Sequence, residues 1–526
     1  MELGLVTSGD ALAFVDAQLP GLIDAKIGSR IAAEDPTIWG PAAQAESSIR
    51  LGWVNPFDAA DKLIPAIQAL RDELVDEGLT RIVLCGMGGS SLAPEVICAH
   101  DEVDLVICDT TDPAMLAPII NTDLEHTVVV VASKSGSTVE TDSQRRAFTA
   151  AFQAAGIDPA TRLVLVTDPG SPMDNPQGVR AVFNADPNVG GRYSALTAFG
   201  LVPSGLAGAD IEALVEEAGL LHDVLNVDDE DNLALHLGAA MATTGRDKLV
   251  IAGVGDALPG FGDWAEQLIA ESTGKESKGV LPVVAHVGAP ELNSVAADVL
   301  PLYIYDELPE QIDEDATAVH FSAPLGTSFM IFEYATAVAG YLLGISPFDQ
   351  PDVEAAKVAA RSLLDAPAAA APDAVDGTVQ LFGTTADTLA GALEELTGKL
   401  GQDGYLAIQA YLNRNEDTAL LALRDELAAK TGRPVTFGWG PRFLHSTGQY
   451  HKGGPAQGVF LQVTAEHPAA EDVQIPGRPY SFGGLITAQA IGDAGVLSDA
   501  AHNRPVLRVN LTDRKAGIAA LLEAAK

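Results

Sequence analysis

The sequence predicts an α/β fold, with parallel sheets flanked by helices, more than one domain, and an additional α/β segment at the C-terminus. Three observations carry this. Short runs of Val, Ile and Leu, such as RIVLC (81–85), VVVVA (128–132) and RLVLVT (162–167), alternate with stretches long enough for helices. That is the pattern of parallel strands buried on both faces. The turns after two of these runs are rich in glycine and hydroxyls, and ligands of parallel sheets sit at the carboxyl ends of strands. Finally, 526 residues with 47% hydrophobic and 20% charged side chains suit a globular protein of two or three domains.

In chain order, residues 1 to about 75 read as helical, broken by Pro, Gly and Trp around Asp35–Pro41 and at Asn55-Pro56. In Asp58–Glu77 the residues Leu63, Ile64, Ile67, Leu70 and Leu74 recur at helical spacing, so this helix packs on the first sheet. That sheet begins with RIVLC and the turn GMGGSS (86–91), then a helix that tolerates Pro94 in its first turn. DLVIC (104–108), Val128–Ala132 and RLVLVT continue it. NVGGRYSALTAFG (188–200) follows, with Ser194 placed to cap the next helix. DKLVIAGV (247–254), VLPVV (280–284), LPLYIYD (300–306) and TAVHFS (317–322) read as a second sheet around a helix at Trp264–Glu271. A long apolar helix occupies about 326–343. In PFDQPDVEAAK (347–357), Gln350 and Lys357 stand seven apart, two helical turns, and can share a face.

DAPAAAAPDA (365–374) is the clearest linker. Beyond it TVQLFG (378–383), GYLAIQAYL (404–412), PVTFGWG (434–440), GVFLQVT (458–464) and RPVLRVNL (504–511) read as strands of a third α/β segment. GPRFLHSTGQYHKGGP (440–455), between two of them, is dense in polar residues and glycine, as functional loops are. The expected division is a helical segment (1–75), two α/β domains (76–205 and 206–365) and the C-terminal α/β segment (366–526).

Charge limits the partners. The net charge is −41, from 72 acidic and 31 basic residues. Such a surface repels nucleic acid and anionic membranes, so neither is expected as a partner. It also repels a phosphorylated substrate at long range, so a phosphate site has to be locally positive. Cys85, Cys98 and Cys108 form no CxxC and lie in or near apolar segments, which suits reduced, packed thiols and a cytoplasmic protein. The first residues carry an acid and no Lys or Arg before Lys26, unlike a signal peptide, and no apolar run reaches spanning length. His445 and His451, six apart with no cysteine beside them, are not a metal motif. No metal and no cofactor is expected.

The chemistry concentrates at VVVVASKSGSTVET (128–141). After a buried strand, the hydroxyls and N–H groups of Ser133–Thr138, with Lys134, can surround a dianion. A helix starting near Thr138 adds its positive end, worth ~0.3–1 kcal/mol for a nearby anion. An ordinary βα turn with good N-caps is equally compatible with these residues. GMGGSS lies at another carboxyl end and can face the same ligand; it is no dinucleotide fingerprint, because position 91 is Ser. Arg192, beside paired glycines, is either a buried functional group or a surface arginine paired with an acid. Glu271, followed by Ser272-Thr273-Gly274-Lys275, either reaches into a cleft or is a solvated acid near a C-cap glycine. Lys357 among alanines suits an exposed helical lysine.

GMGGSS, SKSGSTVET, GGRYS, ESTGK and FDQPDVEAAK stand in the order seen in glucose-6-phosphate isomerases, and over residues 86–357 the chain resembles that family. The resemblance implies two tandem sugar-isomerase (SIS) domains of the parallel-sheet sandwich type, plus the C-terminal α/β segment. That segment, with LHSTGQYHKGGP, is similar to the isomerase half of bifunctional transaldolase/glucose-6-phosphate isomerase proteins. No room is left for a transaldolase barrel of ~250 residues.

The resemblance also implies roles. Ser90, Ser133, Ser135 and Thr138, with the backbone from Lys134 to Thr138, match the phosphate cup, where Gly136 and Ser137 replace bulkier residues. Gly89 lets the backbone approach the sugar. Glu271 matches the base that moves a proton between C2 and C1, and Arg192 the group that steadies the enediolate. Lys357 and a histidine match the ring-opening groups; Gln267, Glu140 and Gln350 match hydroxyl or orienting contacts. The histidine departs from the pattern. In ordinary members it lies between base and lysine, where this chain has only His286 and His320, neither with the expected neighbours. LHSTGQ (444–449) and IPGRPYSFGG (475–484) both resemble segments that precede the lysine in the family, so a block has moved to the C-terminus and His445 takes the place. In the family this histidine comes from a neighbouring subunit, which implies a homodimer.

The expected function is interconversion of glucose 6-phosphate and fructose 6-phosphate. A dual phosphoglucose/phosphomannose isomerase and a non-catalytic sugar-phosphate-binding SIS protein are the alternatives. The substrates of the first differ only at C2. The second lacks a use for a base, an arginine and a lysine, and the chain has no DNA-binding segment.

Overall fold

The computed structural model describes residues 3–364 and 371–526, so most of the DAPAAAAPDA linker lies outside the described residues. The chain opens with a strand, β1 (Gly4–Ser8), where the sequence reads as helix. β1 pairs antiparallel with the strand Ala318–Ser322, Val6 opposite His320. Five residues are too few for periodicity to separate strand from helix, and pairing across some 300 residues decides the outcome.

The first sheet is parallel throughout and holds β2 (Arg81–Cys85), β3 (Val106–Cys108), β4 (Thr127–Ala132), β5 (Leu163–Thr167) and β6 (Ala181–Asn184), in the order β3-β2-β4-β5-β6. All six residues of β4 are buried, as its run of valines requires. β6 escapes a reading by composition because it is a short, half-exposed edge. The second sheet holds β7 (Lys248–Gly253), β8 (Leu281–Val284), β9 (Val299–Ile304) and β10 (Ala318–Ser322) in the order β1-β10-β9-β7-β8. The third holds β11 (Ala374–Asp376), β12 (Val379–Phe382), β13 (Tyr405–Ala410), β14 (Val435–Trp439), β15 (Gly458–Ala465) and β16 (Val506–Leu511) in the order β11-β12-β16-β15-β13-β14. Its last four strands are parallel, and β11 and β12 close one edge antiparallel.

The helix Phe57–Asp76 buries Ala60, Ile64, Ile67, Leu70 and Leu74, the face that its spacing predicts, with Leu63 half-buried. The helix Leu325–Leu343 is apolar all round and buried from Leu325 to Gly340. It crosses the helix Leu233–Met241 closely: a Cβ on Gly238 would stand 2.6 Å from the Ala335 carbonyl oxygen. All three cysteines are buried, and burial pushes the Cys98 thiol up to about 12.

The third segment is tied to the first two by ion pairs. Arg414 Nη1 meets Glu95 Oε1 at 2.7 Å, Arg442 Nη1 meets Asp109 Oδ2 at 3.0 Å, and Arg424 Nη2 meets Glu291 Oε1 at 2.8 Å. Within the segment, the fully buried pair Lys452–Asp493 (2.6 Å) joins the helix Gly448–Gly453 to the helix Phe482–Ser498. That second helix also packs on the helix Val353–Leu364, where a Cβ on Gly492 would be 2.8 Å from the backbone N of Ala360. The block 440–498 is thereby laid against both preceding sheets. Among the described residues no helix is long and apolar enough to cross a membrane.

Candidate active site

The serine loop follows β4 directly. Ser133 N donates to the Val166 carbonyl (2.9 Å) and Ser133 Oγ donates to Thr138 Oγ1 (3.1 Å), closing the loop on itself. Gly136 has φ +64, and a Cβ there would lie 2.8 Å from Ser171 Oγ, so both backbone and space favour glycine. Ser135 and Ser137 face out, 3.0 Å apart. Thr138 is the N-cap residue of the helix Val139–Ala154 but makes no capping hydrogen bond. The capped-turn reading therefore fails at this residue. A helix start without a side-chain cap is an arrangement that can receive phosphate. Lys134 turns away: its Nζ donates to Asp168 Oδ2 (2.6 Å) and to the Pro187 carbonyl (3.2 Å), so only its backbone faces the loop.

A cavity of about 1040 Å³ opens beside this loop. Its wall includes Ser135–Glu140, Lys357, His445 and Gln489. His445 Nε2 and Glu140 Oε1 are 3.0 Å apart, and Gln489 Nε2 donates to the same oxygen at 2.6 Å. Gln489 Oε1 in turn accepts from Thr111 Oγ1 (2.8 Å). Burial raises the Glu140 proton affinity, but the charge and hydrogen bond of His445 and the charge of Lys357 outweigh it. The carboxyl is held below its usual value. A carboxylate accepting at Nε2 orients the imidazole and fixes which nitrogen carries the proton.

His445 links this wall to a second cluster. Gln267 Nε2 donates to the His445 carbonyl (2.7 Å) and to Glu271 Oε2 (3.2 Å), one turn along the helix Phe261–Thr273. Arg192 Nη1 lies 3.5 Å from the same Glu271 oxygen. Arg192 is only 4% exposed, so the surface-arginine reading fails. Its Nε donates to Ser272 Oγ (2.8 Å), its Nη1 to Gln350 Oε1 (2.9 Å), and its Nη2 to the carbonyls of Pro347 (2.8 Å) and Asp349 (3.1 Å). Four bonds fix the guanidinium with one edge toward Glu271. The Glu271 side chain is 13% exposed, which excludes the freely solvated acid. Neighbouring Lys275 is buried and bonded to Asp349 Oδ1 (2.7 Å); burial, with the nearby Arg192 charge, lowers its ammonium to about 8.

The glycine turn holds these parts together. A Cβ on Gly89 would stand 1.9 Å from the Gly191 carbonyl oxygen, and a Cβ on Gly88 2.7 Å from both Gln267 Nε2 and the His445 carbonyl oxygen. GMGGSS, GGRYS, Gln267 and LHSTGQ therefore meet at one point, with Ser90 buried beside it.

Two local expectations are corrected. Gln350 and Lys357 do not share a helical face, because the helix starts at Val353 and Gln350 lies before it. Gln350 goes to Arg192, while Lys357 lines the cavity, 43% exposed and 3.8 Å from Glu354. Ser194 caps nothing: its Oγ donates to the Gly191 carbonyl (2.6 Å), and Thr197 accepts from Phe199 N (3.4 Å) to cap the helix Ala198–Ala207. His445 reaches Glu140 of its own chain. His286 pairs with Asp425 at an exposed position and His320 stacks against Tyr303 and Tyr305. Reading the sequence misses Thr111 and Gln489, which carry no motif. It also misses Ser272, whose place beside Glu271 was a signal. Among the described residues no group of three or more His, Cys, Asp or Glu is arranged to hold a metal ion.

The chain is similar to known proteins. The family model for phosphoglucose isomerase matches residues 72–286. A glucose-6-phosphate isomerase of Rubrobacter xylanophilus is 30% identical over 356 residues, 53% of this chain and 82% of that protein. One of Rippkaea orientalis is 29% identical over 349 residues, 55% of this chain and 66% of that protein, just under two thirds of its length. Among solved structures, a hypothetical protein from Thermus thermophilus has a TM-score of 0.58 at 23% identity, covering 69% of this chain and all of that one. A glucose-6-phosphate isomerase from Chlamydia trachomatis gives 0.51 at 21% identity, covering 62% and 74%. At these identities the structures speak for the fold alone.

Proposed function

Because the chain belongs to the phosphoglucose isomerase family, we propose that it interconverts glucose 6-phosphate and fructose 6-phosphate through an enediolate. One observation carries the reading furthest: the half-shielded Glu271 carboxylate stands between Arg192 and Gln267, and Gln267 is bonded to the histidine that lines the serine-loop cavity.

In this reading the 6-phosphate lies on the hydroxyls and N–H groups of 133–138, and Ser90 and Gly89 border the sugar. The charge of the substrate's tail anchors it, so the reacting carbons are held near Glu271 rather than free in solution. His445, oriented by Glu140, gives a proton to the ring oxygen as the C1–O5 bond breaks, while the C1 hydroxyl loses its proton to water and becomes the carbonyl; the Lys357 ammonium lies on the same wall. Glu271 then takes the proton from C2. The C2 electron pair forms the C1–C2 double bond and the carbonyl pair moves onto O1. Arg192, already fixed by four bonds, faces the charge that develops there and need not reorganise. A proton passes from O2 to O1, and Glu271 returns its proton to C1, leaving the ketose. Gln350 holds the guanidinium, and Gln267 holds the carboxylate. General acid–base transfer of this kind contributes ~10²–10⁴-fold.

The homodimer is a separate proposal, tested by sedimentation. A reducing compartment such as the cytoplasm is likewise proposed, from three buried free cysteines.

A coupled assay at neutral pH tests the function. The expected result is turnover of either hexose phosphate, with Glu271→Gln at least ~10²-fold slower and its KM little changed. No turnover of either sugar by the wild type contradicts the reading, and near-normal turnover of Glu271→Gln removes that residue from the proton transfer.

A further inference from the structure

The cavity beside the serine loop is larger than one phosphate end of a hexose requires, and its far wall inverts the charge of the molecule. At about 1040 Å³ it sits at the top of the ~300–1,000 Å³ range of small-molecule sites. Acids outnumber bases 72 to 31 in the chain, yet six Lys and Arg residues and only three carboxylates line this cavity. Three of the six pair with carboxylates away from the serine-loop helix. Lys452 is neutralised by Asp493, and Lys357 and Arg361 share Glu354 at 3.8 and 3.5 Å. The larger surplus lies at one place. Arg145 Nη2, Arg146 Nε and Arg478 Nη2 converge on the single carboxylate of Asp142, at 2.7, 2.7 and 3.0 Å.

Three guanidiniums on one carboxylate leave two positive charges unmatched at the cavity wall. They also leave donors over: Arg145 Nε is buried with no hydrogen-bond partner among the described residues. The arginines are held in place from both sides. Arg145 and Arg146 stand on the helix Val139–Ala154, whose start is the serine loop. Arg478 comes from the 475–484 segment, whose Pro476 carbonyl is 3.5 Å from Arg146 Nη1. Along a helix rising 1.5 Å per residue, position 145 lies ~10 Å from position 138. That is the span of a hexose with an anionic group at each end.

We propose that Arg145, Arg146 and Arg478 form a second anion site, so that the cavity takes a hexose bisphosphate with one phosphate on the serine loop and the other on the arginines. This rests on reading residues 133–138 as the phosphate loop. Such a ligand blocks the cavity without being isomerised, because its C1 hydroxyl is esterified. The guanidinium donors that Asp142 does not take supply charge-assisted hydrogen bonds to the second phosphate.

Calorimetry with fructose 1,6-bisphosphate and with glucitol 6-phosphate, a monophosphate with no carbonyl to isomerise, tests it on the full chain. The wild type is expected to bind the bisphosphate at least ~10-fold more tightly. The double variant Arg145→Gln/Arg478→Gln is expected to lose that advantage, while its affinity for glucitol 6-phosphate stays within ~2-fold, which also shows that it is folded. Arg478→Lys keeps the charge and should retain part of the preference. Equal affinities in the wild type, or a preference unchanged in the double variant, overturn the proposal and leave the arginines as a clamp for 475–484. If the bisphosphate preference is present and lost as expected but fructose 6-phosphate is not turned over, the anion site stands and the isomerase reading fails.

Discussion

Glu140 is the residue whose protonation most directly shapes the site, because one of its oxygens holds both His445 and Gln489. Its folded proton affinity lies below the ordinary value of 4.5. A carboxyl lowered in this way stabilises the fold wherever it is ionised in the folded state, above its unfolded value. That stabilisation fades as pH falls through the lowered folded value. The wild type is therefore expected to exceed Glu140→Gln in stability by about 1–3 kcal/mol above pH ~5, with the gap closing toward pH ~3. Urea denaturation across that range measures it, and a gap that does not change with pH means that the ionised carboxylate adds nothing. The small, flexible neighbours of Glu271 and Arg192 left a buried and a solvated reading open for each, and the structure shields both and sets them 3.5 Å apart. Gln489 was not legible in the sequence: it sits in an apolar helix, and only the fold brings it across to a carboxylate 349 positions away. Lys134 shows the converse. Its place in the loop suggested a phosphate ligand, but a carboxylate on the next strand connection, Asp168, takes its ammonium.

At the scale of elements, the decisive feature is how closely three turns approach. The glycine turn after β2 touches the backbone of Gly191 and of His445 without intervening side chains. Gly89→Ala would put a Cβ 1.9 Å from a backbone oxygen that Arg192 depends on for its position. Separating them is expected to cost about 1–3 kcal/mol and to lower kcat more than KM, since Arg192 and Glu271 would move apart. Steady-state kinetics with thermal unfolding checks this; full activity at unchanged stability contradicts the packing described here. The βα units were readable because buried parallel strands carry continuous apolar runs. β1, β6 and β11 were not, being short edges whose partners are chosen by the fold. The resemblance implies that the histidine segment stands after the lysine in this chain, where the family has it before. The structure supplies the physical sense of that order: the block 440–454 packs on Gly88 and on the helix of Glu271, so its position along the chain matters less than its position in space.

For the whole molecule, the serine loop of the first sheet, the helix Val353–Leu364 and the C-terminal segment line one space, and a polypeptide of net charge −41 keeps a positive wall there. A long-range field that repels phosphates is compatible with binding them because screening confines distant charges to about 8–10 Å at physiological salt, while hydroxyls, helix N–H groups and arginines act at contact. The fold class, the tandem sheets and the loops at strand ends were visible from composition and spacing. The cavity's charge was not, because Asp142, Arg145, Arg146 and Arg478 come from two segments 336 residues apart at the Asp142–Arg478 contact. The central claim is one of distance: a sugar phosphate anchored on residues 133–138 presents C1 and C2 to Glu271. A crystal structure with bound fructose 6-phosphate measures it directly. The account predicts the phosphate on the loop between Ser133 and Thr138, with a Glu271 carboxylate oxygen about 3–3.5 Å from C1 or C2. A phosphate seated on that loop with Glu271 out of reach of either carbon would contradict it.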